Sequence, residues 1–155
     1  MTDDEPRPTP AGIGHEQPAI LMADDDDDDV FVTRRAFREA DIRNPFYRVS
    51  DGTELLDYLR RRGAYADAPR PGLILLDLNM PGMDGREALG RIKSDPDLRR
   101  IPLVVFTTSQ DTDDVAGCYD RGANSYIAKP VGMARMLKTA RTIQSYWFDL
   151  VRTAG

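Results

Sequence analysis

Five short apolar runs punctuate the chain: "AILM" from Ala19, "FYRVS" from Phe46, "GLILL" from Gly72, "PLVVF" from Pro102 and "SYIA" from Ser125. Between them lie longer stretches in which apolar residues recur every three or four positions, the spacing of one buried helix face. The spacing predicts helices over Asp29–Asp41, Gly52–Arg62, Asp84–Ser94, Asp111–Arg121 and Gly132–Val151. Strands alternating with helices of this length predict an α/β domain, an open parallel sheet with helices on both faces. "GLILL" lacks polar alternation, as expected of a central strand covered on both sides. In the last helix Met136, Ala140, Ile143, Trp147 and Leu150 form a core stripe, and Tyr146 and Phe148 fall off it.

Composition changes this picture at the ends. Residues 1–18 are rich in Pro, Gly and charge, carry almost no apolar side chains, and are expected to form a disordered lead-in. The only histidine, His15, lies there, away from any folded partner group that could make it a base. The expected domain therefore runs from 19 to 151, with 152–155 as a tail. One domain suits 155 residues. No run approaches the roughly 18 apolar residues of a membrane span, and the N-terminus has no signal-peptide core. The single cysteine, Cys118, is expected to pack as a small buried side chain in a reducing, cytoplasmic setting. With a net charge of −5 and no basic stripe, nucleic acid is not the expected partner.

The acidity is concentrated in "ADDDDDD", which follows the first strand directly. In a sheet of this kind ligands gather beyond the carboxyl ends of the strands. The first strand is followed there by Asp24 and Asp25, the third by Asp77, the fourth by Thr107 and the fifth by Lys129. Clustered carboxylates without His or Cys are hard oxygen ligands suited to Mg²⁺ rather than zinc. Asp77 is the natural nucleophile for an acyl phosphate, and Thr107 and Lys129 suit its phosphoryl oxygens. Of the remaining aspartates, Asp28 and Asp29 stand where a helix begins and offset its dipole, while Asp26 and Asp27 read as solvated loop. An EF-hand loop fails, because Asp29 stands where it needs glycine and Arg35 where it needs glutamate.

These residues, with "LLDLNMPGMDG", "TTS" and "AKP", resemble the receiver domain of two-component response regulators over about residues 19–151. The spacings, 30 residues from Asp77 to Thr107 and 22 from there to Lys129, are similar to that family's. The resemblance implies a flavodoxin-like sheet of order 2-1-3-4-5 and a stand-alone regulator that takes a phosphoryl group on Asp77 from a histidine kinase. It further implies direct Mg²⁺ contacts from Asp25 and Asp77, the Asn79 backbone carbonyl as a ligand, and Asp24 acting mainly through water. Tyr126 would be the aromatic switch coupled to Thr107, Asn79 and Ser109 would tune hydrolysis, and Pro130 would follow a cis peptide bond.

The segments "LLDLNMPGMDGRE", "FTTSQ", "GANSYIAKPV" and "SYWF" are similar to regulators paired with phytochrome-type histidine kinases. That subgroup implies a homodimer through the C-terminal helix region. The subgroup usually has Glu-Asp-Asn-Pro where this chain has Asp24 to Asp27. No further domain is expected after the fifth helix, so the output is expected to pass by protein contact. The chain is then a phosphoacceptor rather than an enzyme. A haloacid-dehalogenase-type hydrolase would need an aspartate at position 79, where Asn79 stands, and a nucleotide module would need glycine patterns the chain lacks. A degenerate scaffold would have no need of the complete acidic, hydroxyl and lysine set.

Overall fold

The computed structural model describes residues 17–150, the last two by backbone alone. Most of the lead-in expected over 1–18, with His15, lies outside the described residues, as do Val151 and the tail over 152–155. Five strands, β1 (Ala19–Ala23), β2 (Phe46–Val49), β3 (Pro71–Leu76), β4 (Leu103–Thr107) and β5 (Ser125–Ala128), pair in parallel in the order β2-β1-β3-β4-β5. The helices are α1 (Asp27–Glu39), α2 (Gly52–Leu59), α3 (Gly85–Ser94), α4 (Thr112–Asp120) and α5 (Met133–Ile143). The expected flavodoxin-like α/β architecture is thus observed, strand order included. Among the described residues no helix is long and apolar enough to cross a membrane.

Alternation along the strands builds two cores. Leu21, Ala23, Ile74, Leu76, Leu103 and Val105 face α2, α3 and α4, while Ile20, Met22, Leu73, Leu75, Val104 and Phe106 face α1 and α5. Each fully buried Leu or Ile contributes about 1.5–3 kcal/mol of transfer free energy. Both faces of β3 are covered, which is why "GLILL" carries no polar alternation.

Element ends differ from the periodicity in instructive ways. Helix α1 begins at Asp27, two residues early, because Asp26 caps it: one Asp26 carboxylate oxygen accepts from the Asp28 N–H at 2.9 Å and the Asp29 N–H at 3.1 Å. Asp26 is therefore a cap and not merely solvated loop. Asp26→Ala is expected to cost about 1 kcal/mol, and Asp28→Ala, at an exposed position, less than about 0.5 kcal/mol, in paired denaturant titrations. Helix α2 stops at Leu59 rather than Arg62, since Arg61 turns left-handed at φ 54°. After Ile143 the last helix widens into a π-helical segment, Gln144–Leu150. The wider turn shifts the facing positions, so Phe148 joins Trp147 against the core although it lies off the α-helical stripe, while Tyr146 stays half-exposed. The Lys129–Pro130 bond is trans, like every described peptide bond, so the cis isomer implied by resemblance is not adopted. Trans is the isomer favoured by about 0.5–1 kcal/mol for X–Pro.

The order β2-β1-β3 places the switch point of the sheet between β1 and β3, with the loops after both strands side by side. The loop after β3 folds back tightly onto α3. The Gly85 N–H donates to the Leu78 carbonyl at 3.0 Å, and a Cβ at Gly85 would lie 2.1 Å from the Asp77 carbonyl oxygen. Only glycine allows α3 to begin this close to the strand end.

Candidate functional site

At the carboxyl edge of the sheet, Asp24, Asp25 and Asp77 each present a carboxylate oxygen, all within 4.8 Å of one another. Asp24 is fully buried and Asp77 nearly so, whereas Asp25 is open to solvent. Three acidic oxygens in this arrangement suit a hard divalent cation, whose charge offsets their mutual repulsion. The Asn79 N–H points to one Asp77 oxygen at 3.4 Å, placing Asn79 in the loop beside the carboxylate.

Lys129 reaches into the same cluster. Its ammonium donates to Asp24 Oδ2 at 2.6 Å, Asp29 Oδ2 at 2.8 Å and Asp77 Oδ2 at 3.3 Å, and its side chain is only 6% exposed. Burial by itself would lower the Lys129 pKa, but the hydrogen bonds to Asp24 and Asp29 outweigh it and hold the pKa above the usual lysine value. For Asp24 burial is the larger effect and raises its pKa despite the Lys129 bond and the Asp26 N–H that its other oxygen accepts. The Lys129 N–H is tied to the Thr107 carbonyl at 2.8 Å, so pairing of β5 with β4 sets the ammonium beside the strand-end threonine. Thr107 is itself fully buried.

The structure thus brings Asp24, Asp25, Asp77, Asn79, Thr107 and Lys129 to one edge. Two further residues join that were not singled out for it. Asp29 sits one helical turn beyond Asp25 and pairs directly with Lys129 in addition to favouring the helix start. Arg48, on β2, donates from Nε to the Asp24 carbonyl at 2.9 Å and from Nη1 to Asp27 at 2.8 Å. A lone cation on the strand beside the acidic run is the signal that could have marked it. The six aspartates therefore divide: Asp24, Asp25 and Asp29 belong to the site, Asp26 caps α1, Asp27 meets Arg48 and Asp28 is solvated.

Tyr126 occupies a half-buried position on β5, its hydroxyl donating to the Ser109 carbonyl at 2.8 Å while its N–H donates to the Tyr119 hydroxyl at 3.1 Å. Burial chiefly raises its pKa.

Residues 20–141 match the family described as the response regulator receiver domain. Response regulator Rcp1 of Synechocystis sp. is 39% identical over 132 residues, covering 85% of this chain and 90% of Rcp1. Two solved structures align closely. The phosphorylated cyanobacterial phytochrome response regulator RcpA gives a TM-score of 0.84 at 38% identity, covering 90% of this chain and 99% of RcpA. The Mn²⁺-bound form of Rcp1 gives 0.82 at 37% identity, covering 89% and 99%.

Proposed function

This chain belongs to the response regulator receiver domain family, and on that premise we propose that Asp77 is its phosphoacceptor, loaded by a histidine kinase. The observation that carries the reading is the single Lys129 ammonium shared by three carboxylates, Asp24 and Asp29 of the acidic run and Asp77 at the end of β3, beside the buried Thr107. In the transfer, an Asp77 carboxylate oxygen attacks the phosphorus of a phosphohistidine. The P–N bond breaks, the imidazole takes a proton from solvent as it leaves, and an acyl phosphate forms on Asp77. Lys129 then gives up Asp77 to pair with one phosphoryl oxygen, and the Thr107 hydroxyl donates to another. Hydrolysis returns the carboxylate and inorganic phosphate when water attacks phosphorus and the phosphorus–oxygen bond to Asp77 breaks; Asn79 and Ser109 tune its rate on this reading.

Asp24, Asp25 and Asp77, with the Asn79 carbonyl, would hold a divalent cation, and we assign Mg²⁺, which would neutralise charge on the transferring group. Thr107 and Tyr126 form the switch on this reading. Its output is a protein contact in the cytoplasm rather than nucleic acid, with a homodimer through the C-terminal helix region, where Tyr146 is half-exposed. The kinase is of the phytochrome type, in keeping with the name of RcpA.

Incubation with acetyl phosphate tests the acceptor. One phosphoryl group, gained in Mg²⁺, absent in EDTA, released by hydroxylamine and missing from Asp77→Asn, is the expected result by intact mass. An adduct persisting in Asp77→Asn would place the acceptor elsewhere.

A further inference from the structure

Beyond the strand-end cluster, a continuous set of bonds joins the phosphoacceptor loop to Tyr126 by a route that bypasses Thr107. It starts at Asp84, which caps α3 by accepting from the Glu87 N–H at 3.0 Å, just where Gly85 binds the Leu78 carbonyl. Arg86 Nη1 lies 3.5 Å from Asp84 and its guanidinium then crosses to α4. There it makes a two-pronged pair with Asp114, Nε to Oδ1 and Nη2 to Oδ2, both 2.7 Å. Asp114 also accepts from the Ser109 hydroxyl at 2.7 Å, and the Ser109 carbonyl is the acceptor of the Tyr126 hydroxyl. The Ser109 N–H faces Thr107 Oγ1 at 3.5 Å.

This pair differs from an ordinary surface ion pair. Its geometry is bidentate, its side chains are only 32% and 19% exposed, and it joins two helices through residues 28 apart in sequence. Paired forks of this kind restrict orientation as well as supplying energy. Hydrogen bonds from Arg86 and Ser109 hold the Asp114 carboxyl down to about 2, so the pair is intact through the neutral and mildly acidic range.

We infer that Arg86 and Asp114 are positioning residues: they fix Ser109, and through it the Thr107–Ser109 loop and Tyr126, in the arrangement that receives the phosphoryl group. The inference rests on Asp77 and Thr107 acting as proposed above. A loop held in place before the anion arrives binds it more tightly than one that must be ordered on binding. The sign is diagnostic. Removing the negative charge of Asp114 would by electrostatics alone strengthen binding of an anion nearby, whereas loss of positioning weakens it.

The test uses beryllofluoride with Mg²⁺ as the phosphoryl mimic and ring-labelled tyrosine NMR, with the Tyr126 signal assigned from Tyr126→Phe. In Asp114→Ala and in Arg86→Met the Tyr126 signal of the free protein is expected to move. Beryllofluoride affinity should fall about fivefold or more, within the usual range of coupling between sites. The double variant should lose little more than either single one, as for residues acting as a unit. Ser109→Ala, which keeps the backbone carbonyl and removes the hydroxyl's bonds to Asp114 and from the Asp111 N–H, should move the Tyr126 signal too and serves if the charge variants fold poorly. Unchanged Tyr126 signals with unchanged or tighter beryllofluoride binding would overturn the inference and leave the receiver reading standing. Failure of the unsubstituted protein to bind beryllofluoride would instead bring down both.

Discussion

Lys129→Met is expected to destabilise the protein by about 3–5 kcal/mol in EDTA, the cost of leaving buried charge without its partner. The ammonium is nearly inaccessible and its closest partner, Asp24, is fully so, which means that solvent cannot substitute for it. With methionine in its place Asp24, Asp29 and Asp77 would face one another without the ammonium they share. Two such charges about 4 Å apart cost on the order of 4 kcal/mol at an effective dielectric of 20. Millimolar Mg²⁺ should recover part of the loss, because a divalent ion supplies the missing countercharge. Urea titrations of both proteins, each with EDTA and with Mg²⁺, read the effect. Equal midpoints in EDTA would mean that the carboxylates do not depend on Lys129. The pH dependence has a definite sign. The folded pKa of Lys129 is held above its ordinary value, so its stabilisation is fully present below about 10.4 and disappears only as pH rises through the higher folded value.

Asp77→Asn should act in the opposite direction on stability while abolishing the phosphoryl adduct. In EDTA one of four neighbouring carboxylates becomes neutral and the net charge around Lys129 falls, at the loss of only its longest bond, 3.3 Å. A gain of about 1–2 kcal/mol is expected from this partial relief of repulsion. The response to Mg²⁺ should shrink as well. A cation at a hundred times its Kd stabilises the unsubstituted protein by about 2.7 kcal/mol, and a site short of one charged ligand yields less at the same concentration. Thermal melts across a Mg²⁺ series distinguish the two effects. A destabilised Asp77→Asn in EDTA would show that the carboxylate is structurally needed and not held against repulsion.

These opposite signs follow from a contact that links residues 24, 29, 77 and 129, and the sequence foreshadows it unevenly. Asp24, Asp77, Thr107 and Lys129 were legible because each directly follows a short apolar run, and Asp25 because it stands next to Asp24. The parallel alternation of strands and helices sends all such positions to one edge of the sheet. Element types were legible for the same reason: periods of two and of three to four residues record how each segment meets a core. Where a helix departs from that period, as the π-helical segment does at Phe148, the pattern misplaces the side chain.

What periodicity cannot express is which charge meets which. Six consecutive aspartates are chemically identical in one dimension. Their separate fates depend on α1 beginning at Asp27, on β2 lying beside β1 to bring up Arg48, and on β5 lying beside β4 to bring up Lys129. The same holds for Arg86 and Asp114, each ordinary in its own helix and paired only because α3 and α4 cover the same face. Burial is a property that each residue shares with its periodic neighbours, so the order of residues along the chain already fixes the layers, the sheet edge and the residues that arrive there. Pairing is a property of two segments brought together by strand order, and it comes into being with the folded sheet.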